Sequence, residues 1–291
     1  SDSIKISQKI YTDTLKYFKS FIPEEYQNRI VDEIKWQLKG NGLYKNKLMV
    51  LDILANFNWE RPIYFATTVG QDNFMGLEKY FQLEGLTYRL VPYIAQSRDR
   101  QPGIVHTEKM YQRLTKDFVW GGYNNPNNYF DETNTRMVLN FRNSYSRLAE
   151  SLMQKQDTAK AIETLDKCMS EFSSKVVPFS YYAPFMIDIY LRAQQKEKGT
   201  DILVEMIDRY VDEYKYLKAF KYNSGVNQNE RIALQILGNL NQIISIHKLS
   251  DNGFNYFEKD GNYFMQKDNN DIEIDYQTFR INSFVSEFLE L

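Results

Sequence analysis

The side chains best suited to chemistry stand in two short clusters, the first of which is Trp59-Glu60-Arg61-Pro62. A guanidinium binds phosphate through two parallel hydrogen bonds, so Arg61 could hold an anionic group such as a lipid phosphate. Alternatively, Glu60 and Arg61 pair with each other or with Glu78 while Trp59 packs, which would fix a turn from a helix into a strand. We favour this structural interpretation.

The second cluster is aromatic and contains Trp120, Tyr123 and Tyr129, within a segment rich in Gly and Asn. Flat aromatic rings stack on the apolar faces of sugars, and neighbouring amide groups reach sugar hydroxyls, so this segment is a candidate glycan site. The alternative is a loop that its own aromatic residues hold against the body of the protein. We favour the alternative here as well.

The remaining reactive side chains do not form a motif. The two histidines, His106 and His247, have neither metal-ligand nor catalytic-triad spacing. Cys168 is the one cysteine, which excludes an internal disulfide, and we expect it to pack in the core. The alternating acids of residues 271–275 resemble a calcium loop, but the required Gly and final Glu are missing. We therefore predict no catalytic residue, no metal and no cofactor in this chain.

Composition and charge narrow the class of protein. Hydrophobic residues make up 43% and charged residues 25% of the 291-residue chain, as in folded globular domains. The net charge of −2 argues against a nucleic-acid partner or an anionic membrane surface. No apolar run is long enough for a transmembrane segment. Because the chain begins with Ser1 instead of Met, we expect it to be a processed or excised part of a longer protein.

The first part of the chain mixes helix and strand signals. Hydrophobic spacing and turn residues predict helices at residues 12–21, 23–38, 47–57 and 74–82, and strands at residues 62–69 and 87–94. In the third helix, Met49, Ile53 and Leu54 are predicted to face inward. Strand, helix and strand within about 30 residues indicate a small βαβ unit, with an antiparallel arrangement as the alternative.

A helical repeat is predicted beyond the aromatic loop. Matching apolar faces recur in pairs of helices, with small residues where two helices approach, as in tetratricopeptide repeats. The faces are Tyr145, Leu148, Ala149 and Leu152; Ala161, Leu165 and Cys168; Ala183, Met186, Ile187 and Tyr190; and Gly199, Leu203 and Met206. Ala161 and Gly199 lie 38 residues apart, against the usual 34. Leu234, Leu237, Gly238 and Asn241 would begin a third repeat, whose second helix is degenerate around Phe254 and Phe257.

These patterns together predict a mainly α protein. Residues 1–118 would form a small N-terminal α+β (βαβ-like) subdomain, and residues 119–134 a loop rich in Gly and Asn. Residues 135–250 would form tetratricopeptide-like helical repeats. Residues 251–291 would form a mixed segment that caps the repeats, with short strands or irregular structure followed by a final helix over residues 279–289.

Three sequence runs within residues 51–93 carry a resemblance to a known family: NWERPIYFA at 58–66, GLEKYF at 76–81 and EGLTYRLVP at 84–92. They resemble a signature near the C-terminal end of large multi-spanning membrane proteins of unassigned function. Those proteins are distantly similar to protein O-mannosyltransferases and other glycosyltransferases that use lipid-linked sugars. The resemblance covers roughly the first third of the chain. It implies that chemistry occurs in a membrane-embedded part, with the acidic catalytic residue in an early loop absent here.

Three functional hypotheses follow. In the first, the chain is a non-catalytic accessory domain on the periplasmic face of the inner membrane, beside the upstream transmembrane part of the same protein. It would dock a protein or glycan acceptor. In the second, it is a free-standing tetratricopeptide-like module for protein–protein interaction. In the third, it is a hydrolase with a site near Glu60 and Arg61, which would require a deep pocket there.

Overall fold

A computed structural model describes residues 3–10, 21–39, 42–97, 99–219, 224–251, 254–267 and 270–288 of the chain. Most of the regular structure is helical, which confirms the mainly α prediction. The chain divides into two compact units, Ser1–Gly121 and Gly122–Leu291.

Two small sheets organise the first unit. Strands β1 (Ser3–Lys9) and β2 (Glu33–Lys39) form an antiparallel pair. The second sheet has the order β3-β5-β4-β6 and is antiparallel except between β4 and β6. Its strands are β3 (Tyr64–Ala66), β4 (Phe81–Leu83), β5 (Thr87–Leu90) and β6 (Ile104–Val105).

Short helices complete this unit. They are α1 (Lys45–Ala55), α2 (Thr107–Gln112), a π-helix (Arg113–Asp117), and the 3-10 turns Glu24–Arg29, Gln71–Asn73 and Glu78–Tyr80. Helix α1 confirms the predicted helix at 47–57, although Met49 and Ile53 are 58% and 54% exposed and only Leu54 is buried. The predicted helix at 12–21 lies outside the described residues, apart from its last position.

The predicted helix over 23–38 is wrong beyond its first turn. Ile34, Trp36 and Leu38 are buried and alternate with exposed residues, which is the period of a strand. Apolar residues also recur at every fourth position of this segment, so the spacing favoured a helix and hid the alternation. Pairing with β1, some 30 residues away along the chain, decides the outcome.

The βαβ prediction is also wrong, because β3 and β5 pair antiparallel, with Phe65 opposite Tyr88. The strand prediction at 62–69 is confirmed in its central part, and the one at 87–94 in its first half. The segment 74–82, predicted as a helix, makes one 3-10 turn and enters β4. Phe74 and Phe81 pack edge to face at 5.2 Å against the sheet, and this packing outweighs the helical pattern.

Within its described residues, the second unit contains five helices of 10 to 24 residues, followed by a small sheet and a last helix. The helices are α3 (Glu132–Gln154), α4 (Thr158–Glu171), α5 (Ala183–Arg192), α6 (Lys196–Ala219), α7 (Ser224–His247) and α8 (Tyr276–Phe288). The antiparallel sheet consists of β7 (Asn255–Lys259), β8 (Asn262–Lys267) and β9 (Asn270–Ile274). Of the two alternatives for this segment, short strands are present, and the predicted final helix is confirmed although it begins earlier, at Tyr276.

Helices α3 and α5 end in the same kind of turn. Gln156 and Gln194 both have positive φ, of 64° and 61°. The next amide donates back into the helix in each case: Asp157 to the Leu152 carbonyl at 2.9 Å, and Gln195 to the Tyr190 carbonyl at 2.8 Å. This is a left-handed helix cap, and the two turns are 38 residues apart.

The predicted repeat faces are largely buried. Every position of the first four faces lies in the core, from Tyr145 to Met206. In the next set Leu237 is buried, but Leu234 is 39% exposed, contrary to prediction. The degenerate helix expected around Phe257 is strand β7, because alternating side chains there pair with β8.

Candidate functional site

The Trp59-Glu60-Arg61 cluster forms an exposed turn around one buried ring. Trp59 is 4% exposed, has a positive φ of 69°, and its ring lies 4.5 Å from that of Phe57. Glu60 and Arg61 are exposed. Within the part of the chain that the structure describes, Arg61 forms no ion pair with Glu60 or Glu78. The structure therefore shows the expected packing of Trp59 but not the expected ion pair of Arg61 with Glu60 or Glu78.

The aromatic loop cluster is divided between the two units. Trp120 belongs to the first unit and lies edge-on to Phe118 at 5.8 Å. Tyr123 belongs to the second unit, where it is buried and stacks on Phe130 at 4.2 Å. Tyr129 is 91% exposed. Of the candidate glycan-stacking rings, Tyr123 is thus occupied by packing and Tyr129 is open to solvent.

The isolated reactive residues have structural surroundings. The His106 ring accepts a hydrogen bond from the Lys109 amide and caps α2, and His247 contacts Asp188 at 2.8 Å. Burial raises the pKa of the Cys168 thiol to about 12. Among the described residues, no group of three His, Cys, Asp or Glu side chains could hold a metal ion.

A polar cluster that the sequence analysis did not select lies around Glu84, directly after β4. The Glu84 carboxylate is fully buried, and three cationic side chains converge on it. Lys109 Nζ lies 3.2 Å from Oε1, Arg113 Nη1 lies 3.5 Å from Oε2, and Arg89 Nη1 lies 3.9 Å from Oε1. Arg113 also donates to the main-chain oxygen of Glu84. We call these four residues the Glu84 cluster.

Neutral hydrogen bonds complete the surroundings of the carboxylate. Gln82 Nε2 donates to Glu84 Oε1 at 2.6 Å, and the Tyr64 hydroxyl donates to Oε2 at 3.1 Å. The Tyr93 hydroxyl donates to Gln82 Oε1 at 2.8 Å. A buried charge is tolerated only when it is paired and hydrogen-bonded, and this network meets that condition for Glu84.

Secondary structure brings the cationic side chains together. Arg89 lies on β5 opposite Gln82 of β4, Lys109 lies in α2, and Arg113 begins the π-helix. Gly85 has a φ of +90°, and a Cβ there would lie 3.1 Å from Phe118 Cζ and 3.3 Å from Arg113 Cδ. Glycine at this position therefore lets both the Phe118 ring and the Arg113 side chain pass close to the main chain.

The cluster carries more positive than negative charge. Burial lowers the pKa of both Lys109 and Arg89 below their ordinary values, and the neighbouring Arg113 lowers each further. Glu84 acts in the opposite direction. Counting the described residues alone, three cations share a single carboxylate. The arrangement can therefore attract an anion.

Among the described residues of the first unit, two of the cavities have Glu78 and Lys79 in their walls. The first, of about 510 Å³, includes Lys5 and Lys35 in its wall. The second, of about 500 Å³, includes Arg100. Neither is lined by Glu60 or Arg61, so these cavities do not provide the pocket that the hydrolase hypothesis requires.

Comparison with known proteins relates the first unit to a membrane-protein family. Residues 6–109 match the family model described as TMEM260-associated domain 2. No curated protein and no solved structure matches the chain. The matched segment includes Glu84, Arg89 and Lys109, and it ends before the second unit. Along the described parts of the chain, no helix combines the length and apolarity needed to cross a bilayer.

Proposed function

We propose that the chain is an extracytoplasmic accessory domain of a membrane glycosyltransferase-like protein, and that it docks an acceptor or partner without catalysing a reaction. The match of residues 6–109 to TMEM260-associated domain 2 carries this proposal, since it relates the segment to a membrane-protein family. The resemblance of NWERPIYFA and the runs that follow it supports the glycosyltransferase-like part. In this scheme the upstream membrane-spanning part supplies the chemistry, on the periplasmic face of the inner membrane.

The second unit supports a docking role. The turns that end α3 and α5 have the same geometry and lie 38 residues apart, which supports a helical repeat. Tetratricopeptide-like repeats present extended surfaces to peptides and proteins. At the start of α5, Tyr181 and Phe185 are 42% and 60% exposed. Exposed aromatic side chains are enriched in interfaces, so this end of α5 is our candidate contact.

Locating the native protein tests the membrane part of the proposal. An antibody against this domain would be used on fractionated source cells and on spheroplasts treated with protease. We expect a band well above 34.6 kDa in the membrane fraction that protease cuts from outside. A band near 34.6 kDa in the soluble fraction would contradict the proposal and favour the free-standing interaction module.

Site-specific cross-linking tests the docking part. A photo-reactive amino acid would replace Phe185 in the full-length protein, with the equally exposed Met49 of α1 as the matched control site. We expect Phe185 to give a discrete product containing one extracytoplasmic acceptor protein, identified by mass spectrometry, and Met49 to give none. Equal labelling at both sites would reject α5 as the docking surface.

The non-catalytic part has its own assay. The purified chain would be incubated with lipid-linked sugar donors and acceptor peptides, and no transfer or hydrolysis is expected. Turnover by the isolated chain would reject this division of labour and revive the hydrolase hypothesis. Loss of that turnover on Glu60→Gln would place the site at the exposed turn.

A further inference from the structure

We infer that the Glu84 cluster is a binding site for a phosphate oxyanion, held by Lys109 and Arg113 with Arg89 behind them. The inference concerns a ligand of the first unit and does not depend on the docking role of the second. Lys109 Nζ and Arg113 Nη1 lie 3.2 Å and 3.5 Å from the two oxygens of one carboxylate. The two cationic groups therefore lie side by side around that carboxylate, and an anion would bind on their solvent side.

Glu84 alone cannot neutralise the positive charge of all three surrounding side chains. Glu84 is completely buried and already accepts hydrogen bonds from Gln82, Tyr64 and Lys109. One carboxylate offsets one positive charge, which leaves two of the three cations uncompensated within the described part of the chain. Uncompensated charge in a partly desolvated place is costly, and a bound anion relieves that cost.

The cationic groups also keep unused donors on the solvent side. The side chains of Lys109 and Arg113 are 29% and 32% exposed, whereas Arg89 is 12% exposed and lies 3.5 Å above the Phe21 ring. A guanidinium has five N–H donors and an ammonium three. Both contacts of Arg113 use Nη1, so in the described structure its Nε and Nη2 are available to a ligand.

A phosphate matches this site better than a single carboxylate would. It carries up to two negative charges, equal to the surplus, and its oxygens can accept from a guanidinium and an ammonium together. The backbone is specialised at the same point. Arg113 begins a five-residue π-helix, an uncommon element that is frequent at functional sites, and Gly85 admits the Arg113 side chain.

Titration of the purified 291-residue chain with inorganic phosphate, at constant ionic strength and observed by NMR, tests the site. We expect saturable shifts at the Lys109 amide and the Arg113 Nε–Hε group. Lys109→Met and Arg113→Met should each weaken binding by about tenfold or more, the effect of losing one charge-assisted hydrogen bond. Lys116→Met is the matched control, because Lys116 is an exposed residue of the same π-helix outside the cluster.

A change of the opposite charge provides a second test of the site. Glu84→Gln should tighten phosphate binding several-fold, because it raises the surplus charge by one. Thermal melting of each variant identifies any that do not fold, and the shifts in the unmodified protein stand without variants. Shifts that do not saturate, or equal weakening by Lys116→Met, would overturn the site and indicate nonspecific attraction.

A second titration distinguishes the source of the phosphate. Vesicles of phosphatidylcholine with and without phosphatidic acid would be compared with free phosphate. Binding to phosphatidic acid vesicles that Arg113→Met abolishes supports the site with a lipid headgroup as ligand. Binding to free phosphate alone supports it with a soluble phosphate ester. Binding to neither overturns the inference.

Discussion

The guanidinium of Arg142 donates a hydrogen bond to the carbonyl oxygen of Val177 across 2.6 Å, although Arg142 is only 1% exposed. The same group donates to the carbonyls of Phe172 at 3.0 Å and Pro178 at 2.9 Å, and its Cζ lies 4.9 Å from the Phe179 ring. Three carbonyl dipoles and one ring face thus surround this buried charge. Burial lowers the pKa of Arg142 below its ordinary value.

These contacts fix the connection between the two helical hairpins. Residues 172–182 connect α4 to α5, and Arg142 of α3 holds the first part of this connection through the carbonyls of Phe172, Val177 and Pro178. This side chain therefore ties the first hairpin to the segment that leads into the second.

Replacing Arg142 should therefore weaken the attachment of the first hairpin to this connection and destabilise the second unit. We expect Arg142→Met to lower the free energy of unfolding by about 3 kcal/mol or more, because three buried carbonyls lose their donor. Arg142→Lys should cost less but remain clearly destabilising, since an ammonium lacks the planar fork. Urea unfolding measures both. Arg136→Met, at an exposed position on the same helix, should change stability by less than about 0.5 kcal/mol, and an equal loss there would contradict this account.

Cys168 should report the opening of the second unit. Its thiol is completely buried, and desolvation raises its pKa to about 12. At pH 8 the thiolate fraction is then about a thousandfold below that of an ordinary cysteine. We expect no reaction with a thiol reagent in native buffer and one equivalent in denaturing urea, followed by absorbance. Reaction in native buffer at the rate of a free thiol would show that the core opens readily.

The second unit was largely predictable because its signals are local. Leu148, Ala149 and Leu152 face the same way on α3 since a helix repeats every 3.6 residues, whatever lies around it. The predictions that failed concern features that depend on contacts between elements and not on local spacing. Leu234 has the predicted spacing but lies on the exposed side of α7. Which side of a helix is covered depends on the neighbouring elements and not on the spacing alone.

In the first unit, distant pairing overrides local pattern. Residues 33–39 fit a helix or a strand by spacing, and β1 decides in favour of a strand. The Glu84 cluster was unpredictable for the same reason. Glu84 and Arg89 lie within the family-like run, but Lys109 and Arg113 belong to no motif and reach the carboxylate only through the fold. Arg61 was proposed as an anion ligand because arginine binds phosphate, and residue type alone does not show where a side chain lies in the fold.

Gly76 should be intolerant of any side chain. Its φ is +85°, and a Cβ would lie 2.6 Å from the main-chain oxygen of Gln37 in β2. We expect Gly76→Ala to destabilise the first unit by strain and by this clash, seen as a lower midpoint of urea unfolding. Gly261→Ala is the matched control, because Gly261 has a φ of +79° and nothing within 4 Å. It isolates the conformational cost of about 1 kcal/mol. Equal effects would show that the approach of Gly76 to β2 is unimportant.

Ionisation of Tyr26 should weaken the first unit in alkali. Its ring stacks on Tyr93 with centroids 5.2 Å apart, and burial and the adjacent Glu25 raise its pKa to about 12. An unfolded tyrosine ionises near pH 10, so between pH 10 and 12 the unfolded chain loses this proton before the folded chain does. The free energy of unfolding should therefore fall between pH 10 and pH 12, and below pH 10 the ionisation of Tyr26 should not affect it.

Urea unfolding from pH 9 to 11 would be compared for the unmodified protein and Tyr26→Phe, which cannot ionise and should lose stability less steeply. Absorbance at 295 nm would count the tyrosines that ionise in the folded state. Parallel stability curves for the two proteins would mean that Tyr26 ionises as readily in the folded as in the unfolded chain.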